Sequence, residues 1–167
     1  MTAKLSLSHV FPCTPAELFD LLDDPAFEEL QARESNMERV IVEKRTNPDG
    51  TRFKKVRCRP NRAVPAFLKP LLGADGLVYF QTAETDLTKR VLRWTVDVPA
   101  FGERMKVSGA TRVEPHAGGC ERTIEGEVTV NVRFVGGQIE RYVAEDVQKS
   151  YDKTARAMVT FITRLKA

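Results

Sequence analysis

Alternation with a period of two opens the chain. Over residues 4–11, Leu5, Leu7, His9 and Phe11 share one side and Lys4, Ser6 and Ser8 the other, which predicts a half-buried strand. Pro12 ends it. Thr14-Pro15-Ala16-Glu17 then reads as a helix start. Threonine caps, proline takes the first helical position where its missing N–H is no loss, and the glutamate completes a capping box. Leu18, Phe19, Leu21 and Leu22 form the apolar face. Asp24-Pro25 repeats the device and starts a second short helix carrying Phe27 and Leu30.

A meander of strands follows. Residues 38–46 and 51–60 are joined by Asn47-Pro48-Asp49-Gly50, where proline fixes φ and glycine accepts a positive φ. Residues 77–87 and 90–98 form the next pair, the second with Leu92, Trp94, Val96 and Val98 opposite Arg93, Thr95 and Asp97. Residues 104–114 and 120–134 form the last, with Ile124, Val128, Val130 and Val132 opposite Thr123, Glu125, Glu127, Thr129 and Asn131. The connections are too short for parallel crossovers, which need a dozen residues or more, so the seven strands are antiparallel. The meander is interrupted once, at residues 65–73, by a short apolar segment bounded by Pro65, Pro70 and Gly73. It predicts a short helix or a lid-like loop.

The last element is a helix over residues 138–166, a stretch without Gly or Pro. Ile139, Val143, Val147, Tyr151, Met158, Ile162 and Leu165 recur at helical spacing, with Ala155 in the same stripe. At 1.5 Å per residue it is about 43 Å long. A compact chain of this size has a radius of gyration of about 15 Å. The helix therefore runs across the whole body and buries one stripe against the sheet. A large antiparallel sheet twists, and a straight helix cannot fill its concave side along the full length. The short helices and the 65–73 segment plug the ends, and the middle is expected to leave an apolar space. Trp94, Phe80, Met105 and Met158 are large enough to line or fill it. The modest side chains of Val107, Gly109, Val128 and Val130 leave room for it.

Length and composition change little. At 167 residues the prior is one domain, 1–167, and 42% hydrophobic with 29% charged residues is ordinary globular usage. No run nears the roughly 20 apolar residues of a transmembrane helix. Residues 1–13 alternate instead of forming a signal peptide. Cys13, Cys58 and Cys120 are odd in number and far apart, which fits neither a disulfide framework nor a metal motif and predicts a reducing, cytoplasmic setting.

Charge is segregated. Residues 14–36 carry seven acids and one base, and residues 38–62 carry nine bases and three acids. Two solvated faces that attract each other are one reading. A basic surface for anionic lipid or phosphate is the other, with weak, salt-sensitive membrane contact through Arg52, Lys54 and Lys55. Nucleic acid is not expected, because Phe53 is the sole aromatic of that hairpin and stacking platforms need several.

The order of strand, two short helices, antiparallel meander and long C-terminal helix resembles the helix-grip fold of the START-like (SRPBCC) superfamily, shared with the birch pollen allergen family. The resemblance covers the whole chain. Its most specific pieces are Phe11-Pro12-Cys13-Thr14-Pro15-Ala16-Glu17-Leu18-Phe19 at the front and Val135-Gly136-Gly137-Gln138-Ile139-Glu140 leading into Val147 and Tyr151 at the back. Val64-Pro65-Ala66-Phe67-Leu68 with Gly73 looks like an uncharacterised bacterial subfamily. The fold class implied is α+β, a curved seven-stranded antiparallel sheet wrapped around the helix. The resemblance also implies a central apolar cavity for a lipid-like, sterol-like or polyketide-like molecule.

Motifs of known catalysts are missing: the sequence contains no HExxH, CxxC, GxSxG, Walker A or GxGxxG. His116 reads as a solvated turn residue and His9 as a partly buried structural histidine. Asp97 and Glu125 read as outward. Two distant histidines and three scattered cysteines give no metal set, and no cofactor is expected. Tyr79, Tyr142 and Tyr151 can donate a hydrogen bond, and Tyr151 lies on the cavity-facing stripe. Gly136-Gly137 either forms an anion nest or permits a tight strand-to-helix junction. The expected ligand contacts are Phe67, Leu71, Phe80, Trp94, Met105, Val107, Val128, Val130, Val147, Tyr151, Ala155 and Met158, with residues 67–72 as the entrance. Three functions fit: a carrier of a small hydrophobic ligand, a cavity enzyme of the cyclase or hydrolase type, and a protein-interaction module.

Overall fold

The structure, a computed structural model, describes residues 2–167. Its first strand, β1 (Thr2–Phe11), ends where the sequence placed its stop. The capping box is then made in both directions. Thr14 Oγ1 accepts from the Glu17 N–H at 3.1 Å, and the Thr14 N–H donates to Glu17 Oε1 at 3.0 Å. That starts α1 (Pro15–Leu22), and Asp24 Oδ1 accepts from the Ala26 N–H at 2.8 Å to start α2 (Pro25–Glu34).

Six strands follow: β2 (Met37–Thr46), β3 (Arg52–Pro60), β4 (Tyr79–Asp86), β5 (Val91–Asp97), β6 (Met105–His116) and β7 (Gly119–Val130). All pair antiparallel in one sheet of order β1-β7-β6-β5-β4-β3-β2. The first strand therefore closes onto the last, and β1 and β2 are the edges.

The strand β7 is shorter than its expected 120–134 span. It stops at Val130, whose N–H is taken by the buried Glu140 carboxylate at 2.9 Å. The helix α3 (Gly136–Leu165) begins six residues beyond that strand end. Gly136 is needed at this junction, because a Cβ there would sit 2.6 Å from the Val130 carbonyl oxygen. Close backbone approach, the second of the two readings of Gly136-Gly137, accounts for this glycine.

Side chains of α3 meet two apolar cores. At its start Ile139 joins Leu5, Leu7, Trp94, Val98, Phe101, Val107 and Ile124. At its end Ala155, Met158 and Ile162 join Phe11, Leu18, Phe19, Phe27, Leu30 and Val113. The two short helices supply the plug of the second core. All three cysteines are buried and unpaired. Burial and the neighbouring Cys120 thiol push Cys13 up to about 12, so it stays a thiol.

The segregated charges meet across the fold. Arg39 on β2 forks onto Glu28 on α2, with Nε to Oε2 at 3.0 Å and Nη2 to Oε1 at 3.2 Å. Lys54 Nζ lies 3.3 Å from Glu28 and donates to the Leu22 carbonyl at 2.8 Å. Arg52 bonds Asp23 at 3.0 Å and Asp20 at 3.2 Å. Burial alone raises the Glu28 carboxyl, but the Arg39 fork and Lys54 more than reverse this and hold it below the ordinary glutamate value. The structure lends no support to the expected membrane patch. Arg52 and Lys54 are turned onto the acidic helices, and Lys55 lies over the Phe80 ring at 5.1 Å.

Candidate functional site

Between the sheet and the middle of α3 lies a cavity of about 130 Å³. One water needs roughly 10–15 Å³ on this scale, so the space suits a small molecule. The strands contribute Tyr79, Gln81, Trp94, Val96, Met105 and Val107, and Val98 follows just after β5. The helix contributes Ile139, Tyr142, Val143, Val147 and Tyr151, and the 65–77 segment adds Leu68, Leu72 and Leu77. An inner chamber of about 80 Å³ adjoins it toward the second core. The two share Gln31, Arg39, Gln81, Trp94, Tyr151 and Thr154 as walls.

Of the twelve positions expected to contact a ligand, Trp94, Met105, Val107, Val147 and Tyr151 line the outer cavity, and Met158 lines the inner chamber. The others lie elsewhere. Phe80 sits on the opposite face of β4, because its neighbours Tyr79 and Gln81 point inward and alternation sends it out under Lys55. Val128 and Val130 are packed into the first core and Ala155 into the second. Phe67 crosses to α3 and meets Tyr142 edge-on, with ring centroids 6.1 Å apart. Leu71 packs on the first core, and in the segment 65–73 it is Leu68 and Leu72 that face the cavity. A 3-10 turn over Lys69–Leu71 sets that phase.

Gly109 does not border open space. It is opposite Trp94 on β5 and opposite Gly126 on β7. A Cβ on Gly109 would overlap the Trp94 ring, and one on Gly126 would lie 2.7 Å from it. The paired glycines leave room for the indole against the sheet, and the ring becomes a wall of both chambers. Its Nε1–H is buried and has no hydrogen-bond partner among the described residues.

The polar walls are mostly satisfied. Arg62 donates to Asp146 at 2.6 Å and to the Ser35 carbonyl at 3.1 Å, tying the hairpin side to α3. The Tyr79 hydroxyl meets Met37 Sδ at 3.1 Å. Burial raises the phenols of Tyr79 and Tyr151, so both stay protonated donors at neutral pH.

Sequence reasoning passed over Arg122. It lies on β7 in register with Cys120 and Ile124, so it points inward, and it is only 4% exposed. Its Nη2 donates to His9 Nδ1 at 3.1 Å, its Nη1 meets Met158 Sδ at 3.7 Å, and its Nε has no partner among the described residues. The guanidinium stacks near Phe11 and Tyr151 at 4.9 and 5.4 Å. Burial brings its pKa down to about 10, so it keeps its charge at neutral pH. Because arginine only donates, His9 must present a bare Nδ1 and carry its proton on Nε2, which donates to Asp152 Oδ1 at 2.7 Å. Burial lowers the His9 pKa, the Asp152 hydrogen bond opposes this, and Arg122 adds to the lowering. His9 is thus a partly buried, satisfied histidine, as its strand position indicated.

A curved seven-stranded sheet gripping a long C-terminal helix, with two short helices closing one end and a cavity in the middle, defines the helix-grip fold. Solved structures agree. The Zhui aromatase/cyclase from Streptomyces sp. R1128 is 10% identical with a TM-score of 0.66, covering 100% of this chain and 97% of its own. TTHA0849 from Thermus thermophilus is 13% identical at 0.64, covering 99% and 100%. Ara h 8.0201 is 17% identical at 0.60, covering 96% and 99%. At such identities the likeness is one of fold. No curated protein matches the sequence. The chain belongs to the family described as protein of unknown function DUF2505, whose model matches residues 6–162. Among the described residues no helix is long and apolar enough to cross a membrane, and no cluster of metal-ligating side chains occurs.

Proposed function

We propose that this chain is a START-like carrier that binds a small hydrophobic molecule between the sheet and α3, with residues 1–167 acting as one binding domain. The observation that carries the reading is the break in the helix stripe. Val143, Val147 and Tyr151 keep the helical spacing of a buried face, yet they are only half-buried at the edge of the first core and line the cavity. Most of the wall is aliphatic or aromatic, as in sites for apolar ligands. The 67–72 segment is the entrance, held to α3 by the Phe67–Tyr142 contact. Three free, buried thiols support a reducing compartment such as the cytoplasm.

The test is binding of an environment-sensitive fluorescent fatty acid. The wild type is expected to bind it in the micromolar range with blue-shifted emission. Val147→Phe fills the cavity and is expected to weaken binding at least tenfold with little loss of melting temperature. In a packed core the same enlargement costs roughly 1–3 kcal/mol. A wild type that binds no probe, together with a strongly destabilised Val147→Phe, removes the carrier reading.

A further inference from the structure

We propose that the ligand is an amphipathic monocarboxylate, its apolar body in the outer cavity and its carboxylate in the inner chamber against Arg122. This rests on the carrier reading and specifies the chemistry of the molecule carried. The inner chamber has Arg39, Lys54 and Arg122 in its walls and no Asp or Glu among them. Arg39 and Lys54 are both paired with Glu28, and Lys54 also lies 4.0 Å from Asp23. Arg122 is not so paired: among the described residues its partners are a neutral imidazole nitrogen and a thioether sulfur.

A buried charge without a counter-charge is costly, and the usual remedy is a paired ion with hydrogen bonds. Two buried donors on residues that line this chamber, the Nε–H of Arg122 and the Nε1–H of Trp94, are the buried side-chain polar atoms left unpartnered among the described residues. An anionic acceptor satisfies a guanidinium and an indole N–H together, whereas an ester or an alkane supplies no charge. Thr111 and Thr154 add hydroxyls to the same walls. The inner chamber is the smaller of the two, and Trp94 and Tyr151 line both it and the apolar cavity. A single carboxylate on an apolar body fits this division.

Decanoic acid, methyl decanoate and decanol, titrated into the full chain by calorimetry at neutral pH, test the assignment. The acid is expected to bind the wild type at least tenfold tighter than the ester or the alcohol. Arg122→Met is expected to abolish that preference by weakening the acid far more than the ester. Trp94→Phe removes one donor and is expected to reduce the acid-to-ester ratio by about tenfold or less. The ratio cancels changes in packing common to both ligands. If Arg122→Met does not fold, the wild-type ratio and Trp94→Phe still decide. Equal binding of acid and ester by the wild type overturns the carboxylate assignment and leaves the carrier reading standing. Binding of none of the three overturns both.

Discussion

The last third of α3 and its middle differ in what the sheet offers them. Met158 and Ile162 are 0% and 3% exposed, enclosed by Phe11, Leu18, Phe27 and Leu30. Val143 and Val147, one and two turns past Ile139 on the same stripe, are only half-buried and border the cavity. The helix is equally amphipathic in both places. What differs is the filler. The two capped helices α1 and α2 insert large side chains between sheet and helix at one end. The 65–77 segment at the other side brings only Leu68, Leu72 and Leu77 to the cavity. A gap between a curved sheet and a straight rod closes only where a third element fills it, so the cavity is placed by where the short helices stop.

That contrast predicts a graded response to truncation along one helix. Met158→Ala is expected to cost about 2–5 kcal/mol, since it removes a fully buried side chain between the second core and the inner chamber. Val147→Ala removes two half-buried methyl groups and is expected to cost about 1 kcal/mol. Urea unfolding of both variants measures the difference. Equal losses would mean that the middle of the helix is as tightly packed as its end.

The smallest effect concerns pH. His9 is held below its ordinary value of 6.5 in the folded protein. A base with a depressed folded pKa contributes full stability above the unfolded value. That contribution declines as pH falls through the window below 6.5, because the unfolded chain takes up the proton first. The melting temperature of the wild type is expected to fall more steeply between pH 7 and 5 than that of His9→Gln. Parallel curves would show that the burial of His9 carries no proton linkage.

Much of the architecture could be read from local signals. The capping box, the cap-plus-proline at Asp24, the turn at Asn47–Gly50 and the glycine-free stripe of α3 are each decided within a few residues, and each is present in the fold. The cavity walls were read less well, because they depend on the facing of strands whose pattern is mixed. On β4 the polar Gln81 points inward and the aromatic Phe80 outward, the reverse of what hydrophobicity suggests. Gln81 is tolerated inside because Arg39 Nη1 donates to it at 3.2 Å, a partner contributed from β2. Arg122 was legible in parity alone. It alternates with Cys120 and Ile124, but a charge on an inward register invites the reading that the strand has frayed there. No single-strand pattern could pair it with His9, which lies 113 residues earlier.

The glycine pair beside Trp94 makes the protein its own optical reporter. The chain has one tryptophan, and its indole forms part of the partition between the two chambers. Its emission therefore arises from a single site, with no second fluorophore of the same kind to dilute it. The ring is buried close against Gly109 and Gly126, so its freedom to tumble is small and its polarisation should be high. Whatever enters either chamber changes the polarity next to that ring. Occupancy can then be followed in unlabelled protein, including ligands that carry no chromophore.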